Sequence, residues 1–395
     1  MTGKEIIKGN ILAELDRGDI TAAEAATRLT RSERHVRRML ASYRQLGVTS
    51  LAHGNRGRHS HQATDDITRA RVLELARTKY HNFNQQHFTE KLNEEEGIII
   101  SRPTVRRILL SGGIVSPRKR RPRKYRQRRE RRLQEGQMLQ LDGSEHDWLE
   151  GRGPRLTLVG AIDDATGTVP GALFREHEDA EGYFRLMEHI TTHKGVPQSV
   201  YSDRHSIFVH TTNKEQTLQE QLEGRKQLTQ FGRLMENLGI ETILALSPQA
   251  KGRIERLWET FQDRLVSELR LAGAATIEEA QKVLDRFVVE FNRRFGVKPK
   301  ESQTGYHRLE ADADWFKLFS FRHDRVVGND NTVRLKGRVI QIPAGKRRIS
   351  YVKARVTVHE GMDGSIGVYY QGEWIAFEPS GMDTAVVQVA GRQQQ

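Results

Sequence analysis

Three acidic residues have types and surroundings that could do chemistry: Asp142 in QLDGS, Asp203 in VYSDRH and Glu255 in SPQAKGRIERLWE. Asp142 lies in a predicted first strand, Asp203 ends a predicted fourth strand, and Glu255 falls in the first turns of the helix after a fifth. In the parallel parts of α/β sheets, sites form at the carboxyl ends of strands and at adjoining helix starts. Adjacent strands there would bring Asp142 and Asp203 within reach of one metal, and the helix would swing Glu255 over the other side. Hard carboxylate oxygens suit Mg²⁺ or Mn²⁺. Two such ions about 3.5–4 Å apart activate an attacking oxygen and stabilise a leaving 3′ oxygen, which is what cutting or transesterifying a phosphodiester requires.

Other carboxylates compete for these roles. Asp163 and Asp164 sit in AIDDATG, where Asp-Ala-Thr-Gly is good turn chemistry. Glu145 and Asp147 lie beyond Gly143, where the first strand is expected to end, and read as surface residues. Glu259 stands one turn beyond Glu255 and is the most credible substitute for it. Around Glu255, Lys251, Arg253 and Arg256 could position DNA beside the metals, and a helix N-terminus favours phosphate. The alternative for Lys251 and Glu255 is an ordinary i,i+4 surface pair, against which the basic helix-turn-helix context and the βββαβαβα order favour the site.

The elements that must position these residues begin at about residue 136. MLQLDG, RLTLVGAIDDATG and TVPGALFRE read as three antiparallel strands. A helix at about 179–194, the strand QSVYSD, a helix at 226–238, the strand IETILAL and a helix over 251–270 follow. The order βββαβαβα is that of a ribonuclease H-like fold. A further helix spans about 276–294. Short strands with glycine turns within 320–380 then suggest a small β-barrel, one edge of which Lys346, Arg347, Arg348, Lys353 and Arg355 could make basic.

Upstream the chain reads as all-α. Ser32 caps ERHVRRMLASYRQLG, which turns Val36, Leu40 and Tyr43 inward and leaves Arg34, Arg37, Arg38 and Arg44 outward. With Thr21 capping AAEAATRL before it, residues 1–50 make a helix-turn-helix candidate, whose alternative is an ordinary bundle with a solvated face. Residues 64–115 repeat the logic, with Ser101 and Pro103 opening the last helix. Tandem units of this kind suit a protein that recognises a defined DNA end. Between Arg118 and Arg132, eleven of fifteen residues are Lys or Arg, among them Arg118, Lys119, Arg120 and Arg121. This linker (116–135) reads as an arm along phosphates or in a minor groove, or as a solvated stretch. His53, His59 and His61 lie in a Gly/Arg-rich connector without acidic or thiol partners, which rarely orders a metal.

Charge supports a polyanion partner. The net charge of +13 is localised: residues 1–135 hold 30 basic and 15 acidic side chains, the remainder 34 and 36. Double-stranded DNA is the expected partner of the basic third. The absence of cysteine excludes disulfides, Fe–S clusters and thiol catalysis. No stretch approaches the roughly 18 apolar residues of a membrane span, and MTGKEIIKGN lacks a signal-peptide core, so a cytoplasmic, nucleoid-associated protein with no membrane partner is expected.

The set LDGS at 141–144, YSDRHSIF at 201–208 and SPQAKGRIERLWETFQDRLVSELR at 247–270 resembles the DDE transposase and retroviral-type integrase superfamily, most closely the ISNCY-like bacterial insertion-sequence transposases. Its most specific motif is Pro248, Gly252, Glu255 and Arg256. The resemblance covers nearly the whole chain and implies a Mg²⁺-dependent DNA strand transferase acting at inverted-repeat ends, with Asp142, Asp203 and Glu255 in the three carboxylate positions. It implies an integrase core over 136–300 and at least a dimer. Two departures stand out. Asp203-Arg204-His205 replaces the Asp-Asn-Gly of many relatives. The interval from Asp203 to Glu255 is also longer than is typical, which an insertion around 209–225 would explain.

Overall fold

A computed structural model describes residues 2–52, 64–117, 130–209, 228–244, 252–345 and 348–380. It divides into two compact units, residues 1–70 and 71–395.

The first unit holds α1 (Gly3–Arg17), α2 (Ala22–Leu29) and α3 (Glu33–Leu46). Thr21 and Glu24 form a capping box at the start of α2: the Glu24 carboxylate accepts the Thr21 backbone N–H at 2.8 Å, and the Thr21 hydroxyl accepts that of Glu24. Thr30, at φ 51°, takes the left-handed conformation that turns α2 into α3, where the Ser32 hydroxyl caps the new helix. Leu12, Ala25 and Val36 are fully buried at the centre, with Leu40 and Tyr43 packed against them, as the spacing predicts.

In α4 (Asp66–Arg77), α5 (Gln85–Glu94) and α6 (Arg102–Ser111), Val72, Leu75, Phe88, Leu92, Val105 and Ile108 close a second small core. Asn84 caps α5 by accepting the His87 N–H at 2.8 Å.

The five-stranded sheet contains β1 (Leu139–His146), β2 (Leu156–Asp163), β3 (Gly171–Arg175), β4 (Ser199–Ser202) and β5 (Glu241–Leu244). Its order is β3-β2-β1-β4-β5, with β1, β2 and β3 antiparallel and β4 and β5 parallel to β1. All eight residues of β2 are buried, so both faces of the sheet are covered. On one face α7 (Ala180–His193) and α8 (Gln230–Leu238) pack on Leu139, Leu141, Val159 and Val200. On the other, α9 (Gly252–Leu271) and α10 (Ile277–Phe295) pack on Leu156, Leu158 and Ile162. Each such buried aliphatic or aromatic side chain stabilises the fold by about 1.5–3 kcal/mol. β1 runs on to His146, three residues past the expected end at Gly143, because Ser144, Glu145 and His146 keep pairing with Leu158, Thr157 and Leu156.

The C-terminal strands do not close into a barrel, which corrects the expectation. After the short α11 (Trp315–Leu318), β6 (Ser320–Val326), β9 (Arg355–Gly361), β10 (Ile366–Tyr370) and β11 (Glu373–Glu378) form an open sheet of order β11-β10-β9-β6. β7 (Thr332–Leu335) and β8 (Arg338–Gln341) pair only with each other. Side chains bridge hairpin and sheet, with Arg338 bonded to the Gly364 carbonyl and to Glu378. Of the expected basic edge, Lys346 and Arg347 lie outside the described residues, and Arg348 packs over Tyr351 and Tyr370.

Candidate active site

The sheet register fixes the first two carboxylates. Parallel strands β1 and β4 pair Leu139 with Val200 and Gln140 with Tyr201. The same offset carried two residues on sets Asp142 opposite Asp203, immediately after β4 ends at Ser202. Neighbouring strands lie about 4.8 Å apart and equivalent positions share a face, so both carboxylates start from one spot on one side of the sheet. The site lies where the chain order reverses direction across the sheet, β2 and β3 to one side of β1 and β4 and β5 to the other, as crevices in open α/β sheets do. The Asp203 carboxylate accepts the His205 backbone N–H at 2.9 Å, which fixes it in an Asx turn.

Helix α9 is aligned to β1 by three polar contacts in matching steps. The Gln140 side-chain oxygen accepts the Ile254 N–H at 3.3 Å, an Asp142 oxygen accepts the Trp258 indole N–H at 3.0 Å, and the Ser144 hydroxyl accepts from Gln262 at 3.2 Å. Steps of two along the strand thus meet steps of four along the helix. At 100° per residue, Glu255 sits about 60° from the centre of that stripe and Glu259 about 100° from it, so Glu255 is the carboxylate turned closer to β1. Glu255 is exposed in the first turn of α9, and Asp142 and Asp203 are half-buried.

A second group approaches from the α7 face. The buried Tyr183 hydroxyl donates to Glu178 at 2.6 Å. Burial, and then the negative charges of Glu178, Asp142 and Asp203, push the Tyr183 pKa well above the ordinary tyrosine value, so the hydroxyl stays protonated. Glu178 lies so close to β1 that a methyl group on Gly143 would stand 2.6 Å from its carboxyl carbon. Sequence reasoning missed Glu178 and Tyr183. One lies in a run of acidic residues before a helix cap and the other looks like ordinary core, and nothing in their spacing links them to Asp142.

Among the described residues, no set of three His, Asp or Glu side chains is gathered closely enough to hold a metal as it stands. The donor chemistry nonetheless fits a hard divalent cation. The β1–β4 register continued two residues past its last pair meets both Asp142 and Asp203, and both charges act on the same Tyr183 hydroxyl.

Of the competing carboxylates, Asp163 and Asp164 are held in buried hydrogen-bond networks, whereas Glu145, Asp147 and Glu259 are exposed. Asp163 accepts the Gly136 and Thr166 backbone N–H groups and the Thr166 hydroxyl, and burial raises its pKa against those bonds. Asp164, fully buried, accepts from Gln140 and the Arg132 N–H and pairs with Arg253 at 2.5 Å.

That pair bears on the residues expected to contact DNA. Arg253 is turned into the protein, with only 12 % of its side chain exposed, because the buried Asp164 charge requires a partner. Arg256 is exposed and bonds the Gly252 carbonyl of its own helix. On α3, Arg34, Arg37 and Arg38 are all exposed; Arg37 pairs with Glu33 and Arg38 meets His35. Lys251, the Arg118–Arg121 run and the histidines 53, 59 and 61 lie outside the described residues.

No family model matches the chain. Two curated relatives do. A putative transposase, y4bF, of Sinorhizobium fredii is 32 % identical over 391 residues, which cover 99 % of this chain and 84 % of the relative. The transposase for insertion sequence IS1202 of Streptococcus pneumoniae is 31 % identical over 395 residues, covering 90 % and 82 %. Similar solved structures include the simian T-cell lymphotropic virus intasome in complex with a PP2A regulatory subunit. It is 13 % identical with TM-score 0.31 and covers 79 % of this chain and 100 % of that one. The HTLV-2 integrase catalytic core domain with magnesium is also 13 % identical, with TM-score 0.28 and coverage of 41 % and 90 %. On the strength of the two sequence relatives, this chain belongs to the insertion-sequence transposases.

Proposed function

We propose that Asp142, Asp203 and Glu255 are the carboxylates of this transposase's active site, and that they hold a pair of divalent ions, Mg²⁺ or Mn²⁺. The observation that carries the reading is the register of the parallel strands β1 and β4, which, continued two residues past Gln140 and Tyr201, meets Asp142 and Asp203, with α9 pinned along β1 beside them. When bound, such a pair supplies an activated oxygen nucleophile and charge neutralisation at the leaving 3′ oxygen. The chain's own part is to fix the ligands. β1 and β4 set two of them side by side, the Asx turn at His205 orients Asp203, and Trp258 orients Asp142. Glu255 closes the pocket from the first turn of α9.

In this reading residues 136–300 are a ribonuclease H-like core, and residues 1–50 and 64–115 are helix-turn-helix units. Together with the basic 116–135 linker they bind the terminal inverted repeats of the mobile element. Arg34, Arg37, Arg38 and Arg256 offer exposed cations for phosphate or base edges. Joining two ends to a target requires at least two copies of the chain. The 320–380 region is an accessory sheet.

The test measures three activities on end DNA: binding, strand cleavage, and joining of pre-cut ends to a plasmid. Asp142→Asn, Asp203→Asn and Glu255→Gln should each abolish cleavage and joining while leaving end binding intact. Full cleavage by any one variant removes that residue from the site, and cleavage without joining by the parent protein would identify a nuclease instead.

A further inference from the structure

From the contact between α9 and β1, we infer that Trp258 is a positioning residue for the metal-binding carboxylate of Asp142. The inference rests on the reading of Asp142 as a metal ligand. The indole N–H donates to an Asp142 oxygen at 3.0 Å, a charge-assisted bond that ties the direction of the carboxylate to the axis of α9. The indole itself is buried and packed. It is 6 % exposed, packs edge-on against Phe261 at 5.9 Å, and belongs to the core shared by α9 and α10.

Room for it comes from β2. Gly160 is the residue paired with Asp142 across β1 and β2, and a methyl group there would stand 3.0 Å from the outer edge of the indole. A side chain in that place would press on the ring that reaches Asp142. Glycine therefore leaves the gap that a large aromatic fills, with its one polar atom at the carboxylate.

A hydrogen bond donated to a metal-ligating carboxylate fixes its orientation and favours its charged form, and loss of such outer-shell partners typically weakens metal binding by about 10- to 100-fold. Trp258 also stands three residues after Glu255 on the same helix. It thereby ties two of the proposed ligands to one another through a single turn.

The test uses the full chain and Mn²⁺ alone, titrated calorimetrically into the parent, Trp258→Phe and Asp142→Asn. Asp142→Asn should lose the site, and Trp258→Phe should bind about 10- to 100-fold more weakly with unchanged affinity for end DNA. In parallel, the four tryptophan indole N–H resonances are followed by NMR in ¹⁵N-labelled protein as Mg²⁺ is added, with signals assigned by Phe substitution of the other three tryptophans. The Trp258 signal should shift with Mg²⁺ in the parent and stay still in Asp142→Asn. This measurement carries the test if Trp258→Phe fails to fold. Parent-like Mn²⁺ binding by a folded Trp258→Phe overturns the inference, and so does a Trp258 signal that ignores Mg²⁺, while either result leaves the site standing if Asp142→Asn has lost it. Parent-like binding by Asp142→Asn overturns the site itself.

Discussion

At the scale of single residues, the charges in the core divide by whether they face a partner or a pocket. Asp164 is the clearest partnered case, since Arg253, Gln140 and the Arg132 N–H all converge on one fully buried carboxylate. Asp164→Ala removes the acid facing a largely buried guanidinium, so it should lower unfolding stability by about 3–5 kcal/mol, read from urea denaturation. A surface pair would give a change of less than about 1 kcal/mol. The sequence made Asp142, Asp203 and Glu255 legible as candidates, because each falls within a strand, just after one or at a helix start that periodicity can place. It also let Asp163 and Asp164 be read as turn residues. It did not show that Arg253 turns inward, because its partner is 89 positions away. Nor did it show Glu178, whose closeness to β1 depends on the bare backbone of Gly143.

At the scale of elements, the α4–α6 helices are joined to α9 and α10 by a nearly continuous ionic seam. Glu268 accepts from His87 at 2.7 Å and pairs with Lys91 at 2.8 Å. Glu90 pairs with Arg264 at 2.6 Å and Arg294 at 2.8 Å, and Asn84 bonds Asp263 at 2.7 Å. Burial works to raise the Glu268 pKa, but the bonds from His87 and Lys91 outweigh it and hold the group below its ordinary 4.5. A carboxylate depressed in this way contributes stability that is present above the ordinary value and is lost as pH falls through the lowered one. Glu268→Gln should therefore melt at a lower temperature than the parent at pH 7, and the two curves should converge as the pH drops well below 4.5. A constant difference across that range would assign the effect to packing rather than charge. The helices along this seam were foreseeable within a residue or two from their caps and spacing. Their docking was not, because it pairs positions about 180 apart. The C-terminal strands show the same limit: their alternation was readable, but which edges meet was not, and so an open sheet with a separate hairpin was expected to be a barrel.

At the scale of the whole molecule, charge is segregated along the chain, with the excess of lysine and arginine in residues 1–135. Affinity for end DNA should fall linearly in a plot of log affinity against log salt, with a slope of about −0.9 for each phosphate neutralised. Asp142→Asn should leave that slope unchanged, whereas a charge-reversing substitution at Arg34 or Arg38 should make it shallower by about one. Equal slopes in all variants would remove α3 from the contact. Among the described residues no helix is long and apolar enough to cross a membrane.

Helix α9 has two jobs at opposite ends. Its first turn presents Glu255, and its far half, through Asp263, Arg264, Glu268 and Arg270, grips the α4–α6 bundle. A rod of twenty residues spans about 30 Å and is stiff over that length. Between those ends the rod is tied to β1 at Ile254, Trp258 and Gln262, so one rigid body carries both the bundle's anchorage and the acidic mouth of the pocket.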